Sequence, residues 1–337
     1  MADDAHDPSE RVYRTPLPLR VGLGEGRNAG SSHRVLRGVL PVFQTPYHDD
    51  ESIDYDTLDR EIAWLFDQGA DGVVMAMVSE VLRLATDERE QMAARVCRVA
   101  WPRGVIVIST GAESSHVAER LSRHAEAAGA DAVMAIPPVS IPLDEDELSG
   151  YYRRILNAVS IPVIVQDASG YVGKPMSIAL QARMFDEFGE RVMFKPEAAP
   201  IGPRLSALLE ATGGRAQVFE GSGGIALVDS YRRGIVGTMP GADLIDAIVS
   251  LWNALKSGDE RRIEQISTPL CSLVALQTSL DAFLAIEKYV LVKRGIFKNT
   301  RVRGPVGYRL DEPTRREVDR LLDLLLDAVQ PEPSDQA

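Results

Sequence analysis

The sequence predicts an α/β fold, a (β/α)8 TIM barrel followed by a C-terminal helical appendage. Three observations lead there. Eight short apolar runs rich in Val and Ile recur at intervals of roughly 20–30 residues, as parallel strands buried on both faces should. Helical patterns alternate with them, and such alternation implies a parallel sheet. Where a doubly wound sheet would carry a GxGxxG turn after its first strand, this chain reads PVFQTPYHDD. The dinucleotide fingerprint is missing.

In chain order the runs are GVLPVF (38–43), DGVVMAM (71–77), GVIVIS (104–109), DAVMAI (131–136), IPVIVQ (161–166), RVMFK (191–195), AQVFE (216–220) and GIVGTM (234–239). Between the first two, DYDTLDREIAWLFDQGA places Leu58, Ile62, Leu65 and Phe66 at helical spacing and offers Gly69 as a stop. TDEREQMAARVCRVA opens on Thr86 as its cap, with Arg89 rather than an acid three residues on, so the full capping box is missing. SSHVAERLSRHAEAAGA starts on Ser and ends at Gly129. The junctions GADGVV and GADAVM put Gly at a helix C-cap, as the αβ turn of a repeating unit does. Past the eighth run come GDERRIEQISTPLCSLVALQ, LDAFLAIEKYVLVKRG and PTRREVDRLLDLLLDAV, which a closed barrel does not need. These helices are expected to pack outside the barrel or against another subunit. The resulting division is a flexible N-terminal arm (1–36), the barrel (37–258), a three-helix extension (259–330) and a polar tail (331–337).

Composition narrows the function classes. Of the 337 residues, 37 are Lys or Arg and 49 Asp or Glu, for a formal charge of −12. Such a surface repels phosphate backbones and anionic lipid headgroups, so neither nucleic acid nor membrane is an expected partner. Cys97 and Cys271 are the two cysteines, without a CxxC pair, and the five histidines show no HxH or HExxH spacing. A disulfide framework and a bound metal are therefore not expected. No apolar stretch reaches the ~18 residues of a membrane span. The start, MADDAHDPSE, lacks the basic and apolar regions of a signal peptide, so a cytoplasmic protein is expected.

Catalytic groups of such barrels sit at the C-terminal ends of the strands. The positions there are Gln44 and Thr45; Val78, Ser79 and Glu80; Thr110; Pro137 and Pro138; Gln166 and Asp167; Lys195 and Glu197; Gly221 and Ser222; and Thr238. No Ser-His-Asp arrangement can be built from them. Lys195 stands apart, because desolvation in an apolar barrel mouth disfavours the charged form of a lysine. A neutral amine can attack a ketone and form an iminium, an electron sink for breaking a neighbouring bond. The competing reading is a lysine that reaches solvent or pairs with Glu197. Asp167 and Gln166 serve a proton relay or an ordinary turn, since QDASGYVG has loop composition. The GSGG run at 221–224 presents backbone N–H groups to an anion or is a plain βα turn. Glu80 reads as structural, held at a strand end by backbone donors.

In order and spacing these motifs resemble the dihydrodipicolinate synthase / N-acetylneuraminate lyase family of Schiff-base-forming (β/α)8 enzymes. The resemblance rests on GVLPVFQTPYHDDESIDYDTL, STGAESS, IPPVSIP, FKPEAAP, FEGSGG and GIVGTMP, and on the three C-terminal helices. It implies that Lys195 is the Schiff-base lysine and that the substrate is a 2-oxo acid, such as pyruvate or a longer keto acid. It also implies the absence of a cofactor and a homo-oligomer, tetramer or dimer.

Two departures shape the expectation further. The family's GTTGE loop, which binds the 2-oxo acid's carboxylate, reads Ala76-Met77-Val78-Ser79-Glu80. Its threonines become Met77 and Val78, leaving Ser79 and backbone N–H groups, with Thr45 or Thr110 to compensate. The family's catalytic tyrosine position holds Gln166, which cannot act as a general acid or base, so Asp167, or a water held by Gln166, is expected to move protons. Tyr171 stands where the synthase carries an aldehyde-binding arginine, which argues against lysine biosynthesis. Ser222 and Thr238 are expected near substrate hydroxyls, and Gly221 in the substrate-binding site beside them. The leading expectation is a class I lyase, aldolase or dehydratase, acting through an iminium on Lys195. The alternatives are a ligand-binding or regulatory barrel without turnover, and a phosphosugar enzyme using GSGG.

Overall fold

The apolar runs become eight parallel strands: β1 (Gly38–Val39), β2 (Gly72–Met75), β3 (Val105–Ser109), β4 (Ala132–Ala135), β5 (Val163–Asp167), β6 (Val192–Pro196), β7 (Gln217–Glu220) and β8 (Gly237–Thr238). The computed structural model describes residues 34–330. The arm expected over 1–36 lies, but for its last three residues, outside the described residues, as does the tail 331–337. Strand order is β1-β8-β7-β6-β5-β4-β3-β2. Pro41 has no N–H for the ladder, which keeps β1 short. The chain beyond it still closes the ring, because Val42 bridges to both Val74 and Gly241. Phe43 N donates to Val74 O at 3.2 Å and Val74 N to Pro41 O at 2.9 Å.

Side chains alternate along each strand. Leu40, Val74, Val107, Ile164, Met193 and Phe219 fill the inside of the ring. Their neighbours Val73, Ile106, Val133, Val163, Phe194 and Val218 pack outward against the helices. The junction acids fasten the N-terminal rim, where Val39 N donates to Asp71 Oδ2 at 2.8 Å and Ile106 N to Asp131 Oδ2 at 2.9 Å.

The connecting helices are α1 (Tyr55–Asp67), α2 (Thr86–Ala100), α3 (Ser115–Ala128), α4 (Glu145–Ala158), α5 (Ile178–Phe188), α6 (Ile201–Ala211), α7 (Leu227–Arg232) and α8 (Ile245–Ser257). In α1 the expected stripe is buried, and so is Glu61 within it. α3 is capped by Ser114 and stopped by Gly129 at φ +100°, a left-handed conformation that glycine adopts without strain. Thr86 is not the cap of α2. The cap is Ala85, whose N–H donates to the Glu88 carboxylate at 2.9 Å, so an acid in the first turn replaces the expected hydroxyl. Cys97 lies in the core and Cys271 is half-buried, both as thiols.

Three helices follow: α9 (Glu260–Val274), α10 (Leu280–Lys293) and α11 (Glu312–Val329). α9 and α11 pack on each other and on α8, outside the barrel. α10 does not. Its Lys288 Nζ donates to the Thr45 carbonyl at 2.8 Å and pairs with Glu80, so α10 lies over the rim at β1 and β2. The appendage is thus divided, with α9 and α11 on α8 and α10 at the rim of the mouth. Among the described residues, no helix is long and apolar enough to cross a membrane.

Candidate active site

A cavity open to solvent occupies the mouth of the barrel. Lys195 reaches it because Met193 and Phe219 point into the ring, and the residue two positions past each points the same way. That places Lys195 and Gly221 in the cavity, with Glu197 one step further along. Gln166 lies opposite Lys195 in the β5–β6 ladder and shares its inward face.

These side chains form a tight group. Lys195 Nζ donates to Glu197 Oε1 at 2.8 Å, and Gln166 Nε2 to Glu197 Oε2 at 2.7 Å. Lys195 is 3% exposed and Glu197 6%. Burial pushes the Glu197 carboxyl above the usual range, while Lys195 and Gln166 pull it back. Gln166 Oε1 has no hydrogen-bond partner. Gly221 makes room for the lysine, since a Cβ there would stand 2.6 Å from Lys195 Cε. The residue type follows from that approach.

Apolar groups close the walls. Met77 and Val78 from the 3-10 turn Met77–Ser79 line the cavity beside Tyr171, Leu280 and Phe283. Tyr171 meets the Phe283 ring edge-on, with centroids 5.5 Å apart. Burial first, then the charges of Glu197, Glu220 and Glu287, push the Tyr171 phenol far above its ordinary range. It stays protonated, a hydrogen-bond donor and not a base.

Several expected contacts lie elsewhere. Asp167 follows Gln166 and therefore faces out of the ring. Its Oδ1 accepts from Ser169 Oγ at 2.6 Å and its Oδ2 from Met176 N at 3.0 Å, so the carboxylate ties down the loop after β5. The expected proton carrier is spent on structure. Thr45 donates to the Ser79 carbonyl at 2.6 Å, and Ser79 donates to the Phe43 carbonyl at 2.6 Å. Both hold the 3-10 turn in place and neither lines the cavity. Thr110 accepts from Ser122 Oγ at 2.9 Å behind β3.

Thr238 donates to Glu220 Oε2 at 2.7 Å, and Ser222 N donates to Glu220 Oε1 at 2.5 Å. The chain's own carboxylate thus takes the Ser222 N–H of GSGG, one of the donors that the phosphate-loop reading would use. Glu80 is buried as expected, but its main partner is Lys288.

Three acids were not singled out from the sequence. Glu220 terminates β7. Glu287 lines the cavity from α10, and Glu61 lies behind it on α1. A readable sign existed for two of them. Glu61 falls within the apolar stripe of α1, and Leu280, Phe283 and Glu287 stand at i, i+3 and i+7 on one face of α10.

Residues 35–324 match the family model of the dihydrodipicolinate synthetase family. The chain is 27% identical over 301 residues to an L-2-keto-3-deoxyarabonate dehydratase from Azospirillum brasilense, covering 86% of this chain and 96% of that protein. It is 25% identical over 297 residues to a 4-hydroxy-tetrahydrodipicolinate synthase from Chlorobium luteolum, covering 87% and 99%. The crystal structure of dihydrodipicolinate synthase from Rhodopseudomonas palustris superposes with a TM-score of 0.78 at 27% identity, covering 86% of this chain and 97% of that one.

Proposed function

The chain belongs to the dihydrodipicolinate synthetase family, and from that premise we propose that it is a class I lyase forming an iminium between Lys195 and a 2-oxo acid. A merely structural lysine would also pair with Glu197, at the 2.8 Å seen here, so the observation that carries the reading is that both groups of the pair line the cavity. A nucleophilic lysine must shed a proton, and Glu197 is in contact to take it. The amine then attacks C2 of the 2-oxo acid. One amine proton moves to the carbinolamine oxygen, Glu197 returns the other, and water leaves. The iminium keeps one N–H and draws electrons from the bond at C3.

The 3-10 turn Met77–Ser79 faces the substrate carboxylate in this reading. The first N–H groups of a helical turn have no acceptor within it, so backbone donors replace the threonine hydroxyls of the family loop. Gln166 holds Glu197 and keeps one carbonyl oxygen for the substrate. Tyr171 donates to a substrate oxygen. Without an arginine at that place, the lysine-biosynthetic aldehyde is not the partner. A sugar-derived 2-oxo acid fits the mixture of Glu197, Gln166 and apolar wall, and the dehydratase among the relatives supports that class. A cytoplasmic homo-oligomer, tetramer or dimer, belongs to the same proposal, and sedimentation of the purified protein tests its oligomeric part.

The test is borohydride reduction with pyruvate and a panel of 2-keto-3-deoxy sugar acids, followed by peptide mass analysis. A reduced adduct on Lys195 is expected. Its absence with every compound sinks the reading and returns the chain to a ligand-binding barrel, which would show thermal stabilisation without product.

A further inference from the structure

The family's tyrosine is gone, Asp167 faces away, and burial raises the Tyr171 phenol so far that it gives up its proton poorly, which directs the search for an acid to the carboxyls that reach the cavity. Glu287 is 1% exposed, lines the same cavity as Lys195, and arrives from α10. It is held on two sides. Gln44 Nε2 donates to its Oε2, and its Oε1 lies against Gly241, where a Cβ would collide with it. Behind it, Gln44 N donates to Glu61 Oε1 at 2.8 Å. Glu61 Oε2, Gln44 Oε1 and Asp243 Oδ2 are buried and have no hydrogen-bond partner. A buried carboxyl oxygen without a donor is better accommodated in a protonated acid than in a carboxylate.

The groups facing Glu287 are Glu61 of α1, Asp243 between β8 and α8, and Lys288 beside it on α10. Tyr171, Glu197 and Lys195 stand around the cavity. Burial, then Asp243 and Glu61, push the Glu287 carboxyl well above its usual range, and Lys288 opposes this only in part because it is engaged by Glu80. Among the described residues, no group of three or more His, Cys, Asp or Glu is arranged to hold a metal.

The geometry points to Glu287 as the general acid of a dehydration, with Gln44, Glu61 and Gly241 as its positioning residues. The inference rests on the iminium at Lys195. Glu197, again a carboxylate once the iminium has formed, takes the C3 proton, and the electron pair forms the enamine. Glu287 gives its proton to the C4 hydroxyl, the C4–O bond breaks, and water leaves. The product is the 3,4-unsaturated iminium, which hydrolyses to free Lys195 and the unsaturated 2-oxo acid. Retro-aldol cleavage would need the opposite, a base at that same hydroxyl. A neutral carboxylic acid there selects C–O over C–C cleavage.

The probe is a 4-hydroxy-2-oxo acid, which gives an unsaturated 2-oxo acid by dehydration and pyruvate plus an aldehyde by retro-aldol cleavage. The native protein is expected to yield the unsaturated acid. Glu287→Gln keeps the shape and is expected to lower turnover by about 10²–10⁴-fold while the borohydride adduct with pyruvate on Lys195 persists. The alkaline fall of kcat contributed by Glu287 in the native protein should be missing from the variant. Gly241→Ala crowds Oε1 without removing the acid and should show the same split between adduct and turnover, which keeps the test open if the first variant does not fold. Pyruvate and aldehyde as main products, or Glu287→Gln turning over within about threefold of native, overturns the assignment. Absence of the adduct in the native protein brings down the iminium reading itself, and the two failures are thereby distinguished.

Discussion

Gln166 and Asp167 are consecutive on β5 and equally buried, yet they belong to different regions of the molecule. Gln166 is part of an inward ring with Lys195, Glu197 and Gly221, open to the cavity and carrying an oxygen with no partner. Asp167 is part of an outward ring with Thr45, Thr110, Glu220 and Thr238, whose polar atoms are engaged by neighbouring backbone or side chains. Both rings contain the residue types expected of a catalytic site. What separates them is hydrogen-bond saturation. A fully engaged polar group gains nothing by meeting a substrate, whereas an incompletely engaged one gains a bond.

The sharpest test of the comparison removes the centre of the inward ring. Lys195→Ala is expected to abolish the borohydride adduct and lower turnover by at least ~10⁴-fold, the scale of losing a covalent nucleophile. Circular dichroism should remain native. Next in size is Glu197→Gln, expected to cost roughly 10²–10⁴-fold in kcat, as for loss of a positioned acid–base group. Because burial raises the Glu197 carboxyl and the reaction needs it ionised, native activity should fall with decreasing pH, starting above the ordinary carboxylate range. A flat acid limb would argue against its role.

Gly221→Ala places a methyl group against Lys195 Cε and Glu197 Oε1, and a loss of about 10²-fold is expected from the misplaced amine, read in single-turnover trapping. The outward ring should respond the other way. Asp167→Asn and Thr238→Val are expected to leave kcat within about threefold and to lower stability by about 1–3 kcal/mol in urea melts, the cost of unsatisfied buried partners. A large loss of kcat without loss of stability in either variant would break the division.

The smallest effect is on stability against pH. Glu61 and Glu287 are raised well above their ordinary range, chiefly by burial. The folded state therefore holds protons that the unfolded chain releases near pH ~4.3. Stability from these protons is present below that pH and is lost as pH rises toward the folded values. Thermal melts should fall by a few degrees across this window, and Glu61→Gln should flatten the slope.

Much of this was legible in the residues. The apolar runs mark all eight strands, because burial on both faces demands continuous apolar sequence. The alternation inside them also held the sorting rule. Counting from Met193 and Phe219 places Lys195 and Gly221 inward, and counting from Ile164 places Gln166 inward and Asp167 outward. Treating all strand-end polar residues as one set mixed the two rings. Glu220 was hidden for another reason, since a terminal strand acid reads as an ordinary loop residue until Ser222 and Thr238 are seen to close on it.

Local periodicity thus determined the barrel, its family motifs and the singular position of Lys195, because each depends on residues within a few positions of one another. The partnership of Gln44 with Glu287 spans 243 residues. Nothing in either segment encodes the other. Only the folding of α10 back over the rim brings a helical glutamate from the far end of the chain into the cavity of the lysine. Burial there, away from water and beside other acids, is what turns an ordinary carboxylate into a proton donor.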